Sequence, residues 1–367
     1  MVLTPMNPGS SRRDFLIRLA ALGAASLVHE ESSVAQTPAR SRAGRRGIDV
    51  HYHFTPPPFL AFLSAQKQRT GVHWSLAESL EDMDRGGTET AITSITSPGI
   101  WFGDVAGVRK VARDCNDYAA KLVSDHPRRF GIFATLPLPD VEGSLRETEY
   151  ALDTLKADGI CMWTNYEDKW LSDPTFVPLY EELNRRKAVV YTHPKQANCC
   201  RGLVPSVNEV MIEYGTSTTR SIAGLIFNGL TTQFPDIKWI FSHAGGTMPF
   251  LIERFLMGTA AEIVPGLVTK GQGGNGKVGE NPPKVPNGVL YELQKMYYDT
   301  AQQSNPVAMR ALRTVVPVSQ IVFGTDYPYR NTEEHVKGLT GGGVFSAEEL
   351  RAIDRGNVAR LLPRYRD

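Results

Sequence analysis

The sequence is short of cysteine, of net charge and of long apolar runs, and each shortage removes a class of function. Only Cys115, Cys161, Cys199 and Cys200 occur in 367 residues, and none lies in a CxxC pair. A zinc ribbon or a disulfide-framed scaffold is therefore not expected. A bridge between the adjacent Cys199 and Cys200 would be strained, so two packed thiols near a loop are the simpler reading. Lys and Arg total 40 against 39 for Asp and Glu, a formal charge of +1. That balance leaves no basic surplus to hold nucleic acid or an anionic membrane. The apolar segment ending at Val28 is too short for a membrane span. A small-molecule partner fits what remains, and the length admits one large α/β barrel or two smaller domains.

What is present begins with an address. Ser11-Arg12-Arg13-Asp14-Phe15-Leu16 matches the twin-arginine export pattern, and Ser33-Val34-Ala35 offers small residues to a signal peptidase. The expectation is a twin-arginine signal peptide over residues 1–35, cleaved after Ala35, with the twin-arginine export machinery as a partner. The mature protein would be periplasmic or exported, with no stable membrane anchor. Residues 36–46, rich in Ser, Pro and Arg, read as a disordered leader, and the folded domain spans 47–367.

From Gly47 onward, short β-branched runs alternate with amphipathic stretches, the pattern of repeated βα units on a parallel sheet. Eight strands are expected: Gly47 to His51, Thr90 to Ile95, Phe130 to Thr135, Gly159 to Trp163, Ala188 to His193, Lys238 to His243, Met296 to Thr300, and Gln320 to Asp326. Eight units over this length favour a (β/α)8 TIM-like barrel. Start signals support the helices between them. Ser75-Leu76-Ala77-Glu78 and Ser346-Ala347-Glu348-Glu349 read as capping boxes, Asp104 and Asp140 as caps, and Asp173-Pro174 as a cap followed by proline at the first helical position. Phe54 to Trp74 and Pro194 to Asn208 exceed the minimal unit and should lie as loop insertions over the C-terminal face. Gly271 to Lys277 superficially resembles a phosphate loop, but Val278 replaces the Ser or Thr that would hold magnesium. It reads as a surface loop.

Chemistry gathers at the strand ends. In Ile48-Asp49-Val50-His51-Tyr52-His53-Phe54 the side-chain period of two puts His51 and His53 on one face, half of a metal site. His193, His243 and Asp326 end three further strands, and barrel closure would place all five around one opening. Imidazoles with a carboxylate suit one divalent ion, zinc first, with manganese or iron also accepted.

These segments carry a resemblance. His51-Tyr52-His53-Phe54, Tyr191-Thr192-His193-Pro194, Ser242-His243-Ala244-Gly245-Gly246 and Phe323-Gly324-Thr325-Asp326-Tyr327-Pro328 resemble the signature segments of the amidohydrolase superfamily. The branch they resemble contains aminocarboxymuconate semialdehyde decarboxylase and the resorcylate-type decarboxylases. The resemblance implies metal ligands at His51, His53, His193 and Asp326, and a catalytic role for His243. It leaves Asp326 as a second candidate for proton transfer and implies a homodimer or higher homo-oligomer. The fourth strand ends Cys161-Met162-Trp163, without the lysine that bridges two metals elsewhere in the superfamily, which implies one ion. Asn357 resembles part of the superfamily's C-terminal helix, and a plain surface helix accounts for it equally well.

The implied reaction is metal-dependent, non-oxidative decarboxylation of a small aromatic, hydroxybenzoate-like, or enoic carboxylic acid. A hydrolase of a lactone, ester or amide is the alternative, and a catalytically silent binding protein is the third class. Trp74, Trp101, Phe102, Trp163 and Tyr191 are candidates for aromatic walls or for ordinary core. Arg254 and Arg330 are candidates for a substrate arginine.

Overall fold

In the computed structural model, residues 44–256 and 282–366 are described. The export signal, the Ala35 cleavage site, most of the leader and the loop from Gly271 to Lys277 lie outside them, and the last leader residues, Arg45 and Arg46, are ordered on Asp354 and Glu89.

Eight parallel strands run in chain order: β1 Gly47–Phe54, β2 Thr88–Ile95, β3 Phe130–Thr135, β4 Gly159–Trp163, β5 Val189–His193, β6 Lys238–Phe241, β7 Tyr297–Asp299 and β8 Ile321–Val322. Each pairs with the next. The ends meet through hydrogen bonds from Val50 N–H to the Phe323 carbonyl (3.0 Å), Asp326 N–H to the His51 carbonyl (2.9 Å) and His53 N–H to the Tyr327 carbonyl (2.8 Å). The result is a (β/α)8 barrel.

The barrel interior is filled by Ile48, Val50, Ile92, Phe133, Tyr191, Ile240 and Val322, which pack with Val358, Leu362 and Tyr365 of the C-terminal segment. A second apolar layer lies between strands and helices. The helix Val105–Asp125 contributes Val108, Val111, Ala112, Cys115, Ala119 and Leu122, all buried and recurring at helical spacing. Asn357 is fully buried, and its amide donates to the carbonyls of Val318 and Ile321. The helix that carries it is tied to β8 and is not a plain surface helix.

Local signals held unequally. Ser346 and Glu349 form a full capping box, and Asp140 and Asp173 cap as expected. Ser75 accepts from Glu78 N–H, but the Glu78 carboxylate takes the Ser75 hydroxyl instead of its backbone N–H, so that box is half formed. Asp104 stands at the cap position with no side-chain cap hydrogen bond. The first insertion is not all loop, because Pro56 caps a helix over Pro57–Ala65, proline suiting the first helical turn.

Two strand ends differ from expectation in a way that matters for the site. β6 stops at Phe241, and His243 and Ala244 then take left-handed backbone angles (φ 54° and 57°). β8 has only two residues, and Asp326 sits beyond it at φ 72°. Both side chains are therefore aimed by tight turns and not by strand pleat. β1 also carries one extra residue against β2 between Asp49 and Tyr52, a bulge of the kind that re-aims side chains beside active sites.

Candidate metal centre

His51, His53, His193 and Asp326 converge, each offering one ligand atom, with all four atoms within 4.8 Å of one another and every residue buried. The Nε2 atoms of His51 and His53 are 3.2 Å apart, as are those of His53 and His193. Asp326 Oδ1 lies 3.1 Å from both His51 Nε2 and His53 Nε2.

The opposite ring nitrogens decide the protons. His51 Nδ1 donates to Asp299 Oδ2 (2.7 Å) and His193 Nδ1 to the Pro194 carbonyl (2.9 Å). His53 Nδ1 lies 3.4 Å from both the carbonyl and the hydroxyl oxygen of Ser94. With Nδ1 carrying the proton, each Nε2 presents a lone pair, and three lone pairs and a carboxylate oxygen then face one point. Among the described residues, the buried Asp326 Oδ1 has no hydrogen-bond donor. Buried acceptors facing acceptors are costly unless a cation lies between them. A tetrahedral ion about 2.0–2.1 Å from each donor would separate its ligand atoms by about 3.3 Å, close to the spacings seen. The residues therefore fit one divalent ion.

The carboxylates around the group call for one positive charge, which a proton on His51 supplies when an ion does not. Burial opposes a proton on His51, but the carboxylates of Asp299 and Asp326 outweigh it and push the imidazole up to about 10. Burial lowers His53, and burial with the neighbouring imidazoles holds His193 well below the usual range. Burial works against an ionised Asp326, yet the imidazoles of His51, His243 and His53 hold its carboxyl well below the usual carboxylate range. The pocket is built around one positive charge.

His243 stands beside this group. Its Nε2 is 3.3 Å from Asp326 Oδ2, and its ring centre lies 4.9 Å from that of His51. Its Nδ1 is buried without a hydrogen-bond partner among the described residues. Gln302 donates to the same Asp326 Oδ2 (3.2 Å).

Of the aromatic candidates, Trp163 places its ring edge-on to His193, centres 5.4 Å apart. Tyr191 is barrel core, stacked on Phe133 and edge-on to His51 with centres 5.3 Å apart, and Trp74 packs on Phe54. Trp101 donates to Glu167. Arg254 is exposed on the short helix Ile252–Leu256. Two tyrosines not singled out from sequence flank the histidines. Tyr214 lies edge-on to His193 with its hydroxyl on Ser97, and Tyr329 lies edge-on to His53 with its hydroxyl on Thr96. Asp299 was also missed, although an acid closing the apolar run Tyr297-Tyr298 at a strand end was a readable signal.

Comparison with known proteins agrees with this geometry. The amidohydrolase family profile matches residues 48–364. The chain is 35% identical over 339 residues to decarboxylase yanB of Aspergillus niger, covering 87% of this chain and 88% of that protein. It is 32% identical over 333 residues to 6-methylsalicylic acid decarboxylase of Penicillium expansum, covering 87% and 97%. Among solved structures, the dihydroxybenzoic acid decarboxylase of a Polaromonas species, with bound manganese, superposes with a TM-score of 0.70 at 20% identity, covering 88% of this chain and 98% of that one. With the barrel, the strand-end histidines and the family profile in agreement over nearly all of the folded region, the chain belongs to the amidohydrolase family.

Proposed function

We propose that the chain is a metal-dependent, non-oxidative decarboxylase of a small hydroxylated aromatic acid of the salicylate type. The observation that carries this reading is the convergence of three imidazole Nε2 atoms and one carboxylate oxygen beside His243. Its chemistry is named by relatives 35% and 32% identical that are called decarboxylases.

His51, His53, His193 and Asp326 would hold a divalent ion, which would supply positive charge for a substrate carboxylate and an adjacent hydroxyl. The remaining work belongs to the side chains. Tyr214, Tyr329 and Trp163 stand edge-on to the histidines and suit the flanks of a planar ring. His243, with one nitrogen on Asp326 and the other unpartnered, is placed to hand a proton to the carboxyl-bearing carbon. As that C–H bond forms, the bond to the carboxylate carbon breaks, its electron pair restores the aromatic ring, and carbon dioxide leaves. Asp326 is held as an anion by its imidazole neighbours, which supports His243 over Asp326 as the donor. Zinc suits the ligand set, and manganese is the ion bound in the Polaromonas structure.

The test is to incubate metal-loaded enzyme with a panel of hydroxybenzoates and, separately, with lactones, esters and amides. Metal-dependent carbon dioxide release with one solvent deuteron at the vacated carbon is the expected result. Acid released from lactones or amides, with no carbon dioxide from any hydroxybenzoate, would reassign the chain as a hydrolase.

Export as a processed, folded protein belongs to the same proposal, supported by Arg12-Arg13 and Ser33-Val34-Ala35. Mass spectrometry of the mature N-terminus after cell fractionation tests it. A homo-oligomer is supported by Leu203, Val204, Met211 and Phe250, which are all exposed. Sedimentation of the purified chain tests that.

A further inference from the structure

The structure assigns Asp299 as the positioning residue that holds the metal seat and the His243 turn together. Asp299 closes β7 and is completely buried. Its two carboxylate oxygens face opposite tasks. Oδ2 accepts from His51 Nδ1 at 2.7 Å, the shortest histidine contact of the site. Oδ1 accepts from the backbone N–H of His243 (2.8 Å) and of Ala301 (3.0 Å). One side chain thus sets the His51 tautomer, so that Nε2 keeps its lone pair toward the ion. The same side chain pins the left-handed turn that aims His243.

The surrounding packing is shaped for this contact. A side chain at Gly324 would place its Cβ 2.8 Å from His51 Cβ and 3.1 Å from Asp299 Cβ, so glycine there lets the two residues approach. The chemistry of the contact also excludes the nearest isostere. Asn at position 299 would have one acceptor and one donor end, whereas both ends face N–H donors. With its oxygen on the backbone N–H groups, its amide N–H meets His51 Nδ1 and forces the proton to Nε2, removing the lone pair. Turned the other way, its amide meets two backbone donors. Only a carboxylate serves both sides.

The inference rests on the metal seat of the proposed function, and its main test needs no substrate. Chelator-stripped full-length protein is titrated with zinc against a fluorescent chelator. Asp299→Asn should bind zinc roughly 10–100-fold more weakly than native protein, with the thermal midpoint of the stripped protein unchanged. Native-like affinity would overturn the assignment. Should the variant fail to fold, zinc-loaded native protein labelled with 15N-histidine decides. The His51 Nδ1 proton should appear far downfield, as expected of an N–H held by a carboxylate, and its absence from Nδ1 would also overturn the assignment. The His243 half is read from turnover at saturating zinc. Asp299→Asn, which keeps an acceptor for the turn, should recover to within about tenfold, while Asp299→Ala should stay lower still. Full recovery of the alanine variant with excess zinc would remove the turn from Asp299's role. If no substrate is ever decarboxylated, the zinc and spectroscopic results stand on their own.

Discussion

The two ends of this barrel treat charge in opposite ways. At the base, where the strands begin, every carboxylate of note has its cation. Asp354 takes Arg45 through two hydrogen bonds of 3.0 and 2.8 Å. Glu89 takes Arg46, Arg128 and Arg355 at 2.5–3.0 Å. Asp158 takes Arg364, the Tyr365 hydroxyl and Ile132 N–H. At the mouth, imidazole nitrogens and a carboxylate oxygen face one another, Asp326 Oδ1 and His243 Nδ1 have no hydrogen-bond partner among the described residues, and His243, Ala244, Gln302 and Asp326 hold left-handed backbone angles. The carboxylates of the base meet guanidiniums of the same chain, Asp158 Oδ1 by charge alone, whereas Asp326 at the mouth meets, among the described residues, only imidazoles and an amide. The difference separates residues that hold the barrel together from residues arranged for the ion and substrate of the proposed function.

That contrast can be broken at the mouth with little effect on the base. Removing a ligand, in His193→Ala or Asp326→Asn, should weaken metal binding by more than about a hundredfold and abolish turnover. Thermal unfolding of the metal-stripped variants should match that of stripped native protein. Elemental analysis with scanning calorimetry checks both, and a fully loaded His193→Ala protein would remove His193 from the seat.

His243→Ala sharpens the division within the mouth itself. The ion should stay while turnover drops by about a hundredfold or more, the scale of a lost general acid. Metal content measured beside the rate distinguishes this from a lost ligand, because the two would then fall together.

The reverse experiment breaks the base. Glu89→Gln removes the carboxylate shared by three guanidiniums and should cost about 1–2 kcal/mol of stability. Metal affinity and turnover at 25 °C should be unchanged. Denaturant titration reads the first and zinc titration the second, and a large loss of zinc affinity would mean that the two ends are coupled.

The smallest effect is expected at the outer surface. Hydrogen bonds from Arg185 and Arg186 pull the Glu182 carboxyl down to about 2 against the opposing effect of burial. A carboxylate depressed on folding contributes stability that is present above its unfolded value of about 4.3 and is lost as pH falls toward 2. Native protein should therefore lose slightly more stability than Glu182→Gln between pH 6 and pH 3, by less than about 1 kcal/mol for a pair at the surface. Equal losses would show that the pairing contributes nothing.

Much of the architecture was legible because it is local. Alternating and continuous apolar runs marked all eight strands, and helical spacing marked Val108 to Leu122 as a buried face. His51, His53, His193 and Asp326 were readable as one group because strand ends in a barrel share one rim. Apolar pattern carries the strands too far at His243 and Asp326, since a left-handed turn leaves no apolar signature once the strand stops. The bulge in β1 was invisible for a related reason. An extra residue is defined only against its partner strand.

Sequence by itself determined the order of βα units, the rim on which the chemistry gathers, and the residue types able to hold a cation. These follow from backbone periodicity and side-chain chemistry, both short-range. Tertiary structure alone decided which nitrogens of His51 and His53 face inward and that a carboxylate holds His51, whereas His193 is oriented by the carbonyl of its neighbour Pro194. Asp299 and His51 are 248 residues apart and meet at 2.7 Å only because the barrel closes. It also decided that Tyr214 and Tyr329 flank His193 and His53 with their hydroxyls on Ser97 and Thr96, while Tyr191 meets His51 edge-on from within the core, stacked on Phe133. All three are tyrosines near strand ends or loops, and only the packing of distant segments separates them.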